Sequence, residues 1–247
     1  MTDTPGPITV NAPTKPSKPT THSTSSSTSS TVVTLPRSLN LYLTNRLTIL
    51  AQATFHLGTS RSSAPLHRVT THQGFSGTPD VVLRSGPSSK SPILATAEFE
   101  TPLSEQILLT LPLSAHDAVR INMTSTARPP KHWGRRDWWF AVPSAGGEQG
   151  EEAKFVWRHS DGEDEERKGY RSGWNLMRRT RWEGGEETAV AFWAYPALTM
   201  TKKMAFRFVE EDGGAGGEMW ATAAVVSALG IWEIERRRVA GGSAAAA

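Results

Sequence analysis

The chain contains no cysteine. A disulfide framework, a thiolate metal site and a cysteine nucleophile are therefore excluded. Strong charge of either sign is also missing: 27 Lys and Arg face 24 Asp and Glu, a formal net charge of +3. With a pI near 9.3, the chain falls well short of a dedicated nucleic-acid binder, yet it can meet an anionic surface. No nucleic-acid partner is expected. The opening MTDTPGPITV has no basic segment followed by an apolar one, so no secretory signal is read. The expectation is an intracellular, cytoplasmic protein, with peripheral membrane or nuclear placement left open.

Catalytic signatures are lacking as well. No G-x-S-x-G or H-E-x-x-H occurs, and His22, His56, His67, His72, His116, His132 and His159 are scattered without metal-ligand spacing. The acidic run DGEDEE places Gly162 wrongly for a calcium loop and reads as a solvated hairpin loop. No catalytic residue, metal or cofactor is expected. No repeat of solenoid or propeller period is present.

Residues 1–37 are dominated by Thr, Ser and Pro. Too few apolar side chains are available to offset the entropy of ordering, so a disordered tail is predicted. From residue 38 the pattern changes. LNLYLT (39–44), PDVVLRS (79–85), PILATAEF (92–99), QILLTLP (106–112), KFVWRHS (154–160), YRSGWNLMRRTRW (170–182), ETAVAFWAY (187–195) and KMAFRFVE (203–210) read as strands. In KFVWRHS, Phe155 and Trp157 share one face and Lys154 and Arg158 the other; Met204, Phe206 and Phe208 likewise oppose Arg207. One dry and one wet face suit a mainly antiparallel sheet or barrel. Residues 113–152, with Pro and Gly clusters around three Trp, read as a long loop or insertion.

The stretch GEMWATAAVVSALGIWEIERRR (217–238) reads as a helix. Met219 to Trp232 carries no charge, Glu218 complements the start, Arg236, Arg237 and Arg238 fall in the expected last turn, and Gly241 and Gly242 follow as stops. Its uncharged part makes a helix of about 21 Å, against about 30 Å for a hydrocarbon core. No transmembrane span is expected. The glycines before it do not spell a dinucleotide-binding loop, and no later strand completes a crossover. A helix apolar on nearly all sides but too short to span belongs inside protein. Strands with one apolar face can wrap it. Ala221, Ala224, Ala228 and Gly230 allow close approach, and Trp220 and Trp232 fill the wider ends.

On these pieces (PILATAEF, FVWRHS, WNLMRR, AVAFWA, FRFVEE and the helix with its ERRR) the chain resembles the tubby C-terminal-like superfamily, with its tubby domains, phospholipid scramblases and plant LURP-one-related proteins. Within it the chain is similar to an uncharacterised fungal branch. The resemblance spans about 39–240. It implies an antiparallel closed β-barrel of about twelve strands around a central hydrophobic C-terminal helix (a mainly β, α+β fold), and no catalysis. It places a barrel domain at 38–240 and a flexible tail at 241–247. Tubby domains bind phosphoinositide head groups, but their lipid-binding motif maps onto no residues here.

Candidate binding residues come from the basic positions. Alternation puts Arg171, Arg179 and Arg181 on the face opposite Trp174, Leu176 and Trp182. Lys154, Arg158 and Arg207 point outward on their own strands, and Lys202 and Lys203 sit at a strand start. Together they make a candidate basic face for anionic phospholipid or phosphoinositide. The alternative at the same positions is an ordinary solvated face, with Glu186 and Glu187 as cross-strand partners. A second functional reading is a protein-interaction scaffold using the Trp-rich stretch 128–150, with Trp133, Arg135, Arg136, Trp138 and Trp139 as contacts. A third is an enzyme with a pocket invisible in the sequence.

Overall fold

In a computed structural model of the chain the described residues are 35–44, 52–73, 77–101, 104–114, 116–127, 136–143, 152–160, 170–179, 185–197, 199, 201–209 and 217–245. Most of the expected tail 1–37 and the acidic run 161–167 lie outside them. Among the described residues are twelve strands and one helix. The strands are β1 Ser38–Leu43, β2 Gln52–Gly58, β3 His67–His72, β4 Val81–Arg84, β5 Ile93–Phe99, β6 Gln106–Pro112, β7 Ala118–Ala127, β8 Arg136–Pro143, β9 Glu152–Ser160, β10 Tyr170–Arg179, β11 Glu187–Pro196 and β12 Lys202–Phe208; the helix is α1 Gly217–Ala245. Each strand pairs antiparallel with its sequence neighbours, and β12 closes on β1 through pairs such as Leu39 with Phe206. Closure removes every sheet edge. It also leaves no parallel crossover of the kind a dinucleotide fold needs.

A barrel of about eight strands is filled by its own side chains, whereas more strands leave a lumen. Here α1 fills it. From Trp220 to Ile234 nearly every helix residue is buried. The helix comes closest to β4, β5 and β6, where Ala95 and Ala97 are small. A Cβ on Gly230 would lie 3.3 Å from Ile107 and 3.5 Å from Ala97, so glycine permits this approach. The other side of the lumen holds the bulk: Trp138, Phe140, Phe155, Trp157, Trp193 and Phe206, all at most 2% exposed. Alternation in β9 and β12 puts Phe155, Trp157, Met204, Phe206 and Phe208 inside, as predicted. Trp220 stacks on Phe155 at 6.0 Å, and Trp232 meets Phe55 edge-on at 5.1 Å. These contacts are the end-filling role expected of the two tryptophans.

Two expectations are corrected. The stretch 113–152 is not a loop or insertion, because β7 and β8 run through it and supply two staves of the barrel wall. Trp138 points inward and is 1% exposed. The alternation of Val119, Ile121 and Met123 is the strand signal that the surrounding Pro and Gly clusters masked. Second, Gly241 and Gly242 do not stop the helix, which continues to Ala245. Interior glycine costs a helix only about 1 kcal/mol relative to alanine, and the alanines beyond favour continuation. Arg236, Arg237 and Arg238 consequently lie before the last turn, and their roles come from tertiary contacts, not from the helix end.

Candidate functional site at the barrel mouth

The helix leaves the barrel at one mouth, where Glu233 to Val239 pass from buried to exposed. Three consecutive arginines on a helix point in three directions. Arg237 turns toward β3 and β4. It pairs with Asp80 at 2.8 Å and Glu233 at 2.9 Å, donates to the His72 carbonyl, and lies 4.9 Å over the Phe99 ring. Arg236 folds back on Glu233 with two bonds of 2.7 Å and sits 6.0 Å over the Trp232 ring. Glu233 is fully buried, and two guanidiniums meet its charge. Its hydrogen bonds hold the Arg236 guanidinium above its ordinary range. Arg238 is exposed. Burial of part of the side chain, then the charge of Arg136, pull its pKa down, while Glu235 and Glu105 oppose them.

On the opposite side of the helix lies a cavity of about 820 Å³ between α1 and the ends of β1, β2 and β9 to β12. Its floor is hydrogen-bonded: Tyr195 donates to Glu235 at 2.7 Å and the Trp174 indole donates to the other carboxylate oxygen at 3.2 Å. Burial pushes the Glu235 carboxyl above its usual range, against the lowering effect of these two donors and of Arg238. Burial, reinforced by the neighbouring carboxylate, drives the Tyr195 phenol far upward. Leu43, Ala53, Phe55 and Trp232 form an apolar wall, and Lys202, Lys203, Arg236 and Arg238 form a cationic one. His159 and Ser172 complete the lining. His159 shares its strand face with Trp157, as expected, and meets the Trp174 ring edge-on at 5.4 Å.

The predicted basic face separates into parts. Lys202 and Lys203 belong to the mouth. Lys202 lies 3.4 Å from the Tyr170 hydroxyl and 5.3 Å over its ring. Arg158 and Arg179 lie on the outer wall but converge on Glu187, which Arg179 meets at 2.9 Å; Arg158 also reaches Asp137 at 3.5 Å. The cross-strand role suggested for Glu187 is therefore real. Arg179 is 11% exposed and stands 5.1 Å over Trp139. Lys154 pairs in register with Arg179, and Arg207 lies two strands from β10 on β12. Arg171 is a β10 residue whose side chain is outside the description, and Arg181 lies outside the described residues altogether. The described outer arginines therefore do not converge into one open cationic patch.

Of the predicted partner contacts, Trp133 and Arg135 lie outside the described residues. Arg136 pairs with Glu105 and donates to Ser125 Oγ at 3.0 Å. Trp138 is core, and Trp139 donates to Thr126 Oγ1 at 2.9 Å. These three build the wall of the barrel.

Sequence reading missed Glu235, Tyr195, Arg236 and Arg238 as site residues. Their grouping needs strand ends far apart in the chain to meet around one helix. The one local hint was a charged run directly after the apolar helix segment.

Among the described residues no helix is long and apolar enough to cross a membrane. Comparison of the chain with family models, curated proteins and solved structures finds no match.

Proposed function

We propose that this protein is a tubby-like, non-enzymatic binding module for anionic phospholipid, phosphoinositide among them, and that it engages the lipid at the barrel mouth. One observation carries the reading: four cations, Lys202, Lys203, Arg236 and Arg238, border an open cavity that contains a single carboxylate, Glu235. The outer wall supports it less, because Arg158 and Arg179 already face carboxylates. The barrel-and-helix architecture agrees with the family resemblance, which implies lipid recognition without catalysis. Glu235 and Tyr195 have shifted proton affinities, but they are engaged with each other. Both carboxylate oxygens accept from neighbours, which supports a structural floor rather than a poised general base.

Each cation near an anionic bilayer contributes about 1 kcal/mol. Changing Lys202 and Lys203 together to Gln should weaken binding to anionic vesicles by about 2 kcal/mol, roughly thirtyfold. Cosedimentation at two salt concentrations measures this. Vesicles of zwitterionic lipid should not bind, and high salt should weaken the anionic case. Changing Arg158 and Arg179 to Gln should matter little by comparison. Absence of binding at low salt refutes the reading; loss through the wall pair alone moves the site back to the outer face.

A further inference from the structure

The cavity at the mouth is two-faced. Membrane attraction alone needs only surface cations, and the apolar half is then unexplained. Leu43, Ala53, Phe55 and Trp232 come from β1, β2 and the helix, and they face the same space as the lysines of β12. A volume of about 820 Å³ lies within the ordinary range for small-molecule sites, about 300–1,000 Å³.

The site is also preformed. Phe55 edge-on and Arg236 above fix the Trp232 ring. Glu233 holds Arg236 in turn through two bonds, and hydrogen bonds lock Tyr195, Trp174 and Glu235 beneath. Groups ordered in advance do not have to be ordered on binding. The cations differ in how they are satisfied. Glu233 balances Arg236, and Arg238 feels the carboxylates of Glu235 and Glu105 as well as the like charge of Arg136, whereas neither Lys202 nor Lys203 meets a carboxylate among the described residues. Two lysines without a carboxylate among the described residues, with the exposed Arg238 beside them and one apolar wall, call for a compact anion joined to an apolar body. More than one negative charge suits them better than a single carboxylate.

We propose that the cavity takes one single-chain anionic lipid as a monomer, its acyl chain against Leu43, Phe55 and Trp232 and its phosphate monoester among Lys202, Lys203 and Arg238. This rests on the mouth being the lipid-binding site and adds that the chain enters with the head group. Glu235 lies at the junction as an acceptor for a head-group hydroxyl.

Lysophosphatidate below its aggregation concentration is the probe, with glycerol phosphate as the head group alone and lysophosphatidylcholine as the uncharged-net comparison. Titration calorimetry on the full chain should give one lysophosphatidate per protein, with a change in tryptophan fluorescence from Trp232. Glycerol phosphate and lysophosphatidylcholine should each bind at least tenfold more weakly. Ala53→Trp, which fills the apolar wall from β2, should weaken lysophosphatidate tenfold or more. Ala53→Leu gives a smaller loss in the same direction and serves if the larger variant does not fold. Equal binding of glycerol phosphate and lysophosphatidate overturns the proposal, as does indifference to both Ala53 variants. Failure of the monomer to bind while anionic vesicles still bind removes this proposal and leaves the membrane reading standing. Failure of both removes the membrane reading itself.

Discussion

Deep in the dry lumen, away from the bonds at the mouth, a side-chain hydrogen bond joins the helix to the wall, and its strength can be measured. The Trp157 indole on β9 donates to Ser227 Oγ on α1 at 2.9 Å, and Ser227 donates onward to the Ala224 carbonyl at 2.9 Å. Both residues are 0% exposed. Ser227→Ala leaves the indole N–H without a partner where water cannot replace it, a penalty of about 2 kcal/mol. Alanine returns about 0.5 kcal/mol through better helix propensity. The Ala224 carbonyl keeps its backbone partner within the helix, so little else changes. The net loss should be about 1.5 kcal/mol, or about 3–6 °C in Tm for a protein of this size.

The decisive comparison is a double-mutant cycle read by urea denaturation and far-UV circular dichroism. In a Trp157→Phe background no indole N–H remains to be orphaned. Ser227→Ala should then cost less than about 0.5 kcal/mol, for a coupling of at least about 1 kcal/mol. Trp193 supplies the control: its indole is buried with no hydrogen-bond partner among the described residues. Trp193→Phe therefore loses packing alone, and its cycle with Ser227→Ala should show no coupling. Equal cost of Ser227→Ala in the native and Trp157→Phe backgrounds would refute the reasoning.

Two further predictions concern the mouth and the wall. Glu235 has its folded-state pKa raised, chiefly by burial, so its ionised form lowers stability at pH above that raised value. The penalty fades as pH falls through the raised value toward the ordinary 4.5. Glu235→Gln should therefore gain stability relative to the native protein near pH 8, and the difference should shrink toward acid. The charged and titratable groups facing it (His159, Tyr195, Lys202, Lys203, Arg236 and Arg238) are common to both proteins, and denaturation across pH reads the difference. A difference that grows toward acid contradicts the assignment. Gly173 lies where β10 crowds β11: an added Cβ would collide with the Trp193 carbonyl and sit 2.8 Å from Ala194 Cβ. Gly173→Ala should cost about 3 kcal/mol through overpacking and strained pairing; unchanged thermal stability would show that the wall gives way more easily than that.

Much of the architecture could be read locally. Alternation with period two marks β6, β9 and β12, because each has an apolar face toward the lumen and a wetter face outside; β11, buried on both faces from Val190 to Ala194, is marked instead by its apolar and aromatic residues. The escapes have physical causes. β3, HRVTTH, carries threonines where the pattern wants hydrocarbons; Thr70 and Thr71 are nonetheless 5% and 1% exposed. β7 and β8 were hidden by the Pro and Gly clusters beside them. That same reading made 113–152 a long loop or insertion, yet deleting even 128–150 from it would remove β8 and open the barrel between β7 and β9.

The basic residues show the sharper limit. Period two correctly sends Arg158 and Arg179 outward, but it cannot say that both end on Glu187, since that depends on strand register. Nor can helix periodicity say that Arg236, Arg237 and Arg238 diverge to Glu233, Asp80 and the cavity. For this protein the sequence by itself determined the alternating strands, the buried helix and its exit among arginines, because those follow from local spacing of apolar side chains. Only the tertiary structure decided which cations are neutralised and which open on a shared space. That outcome depends on strand ends remote in the chain meeting around one helix, and no local pattern records those distances.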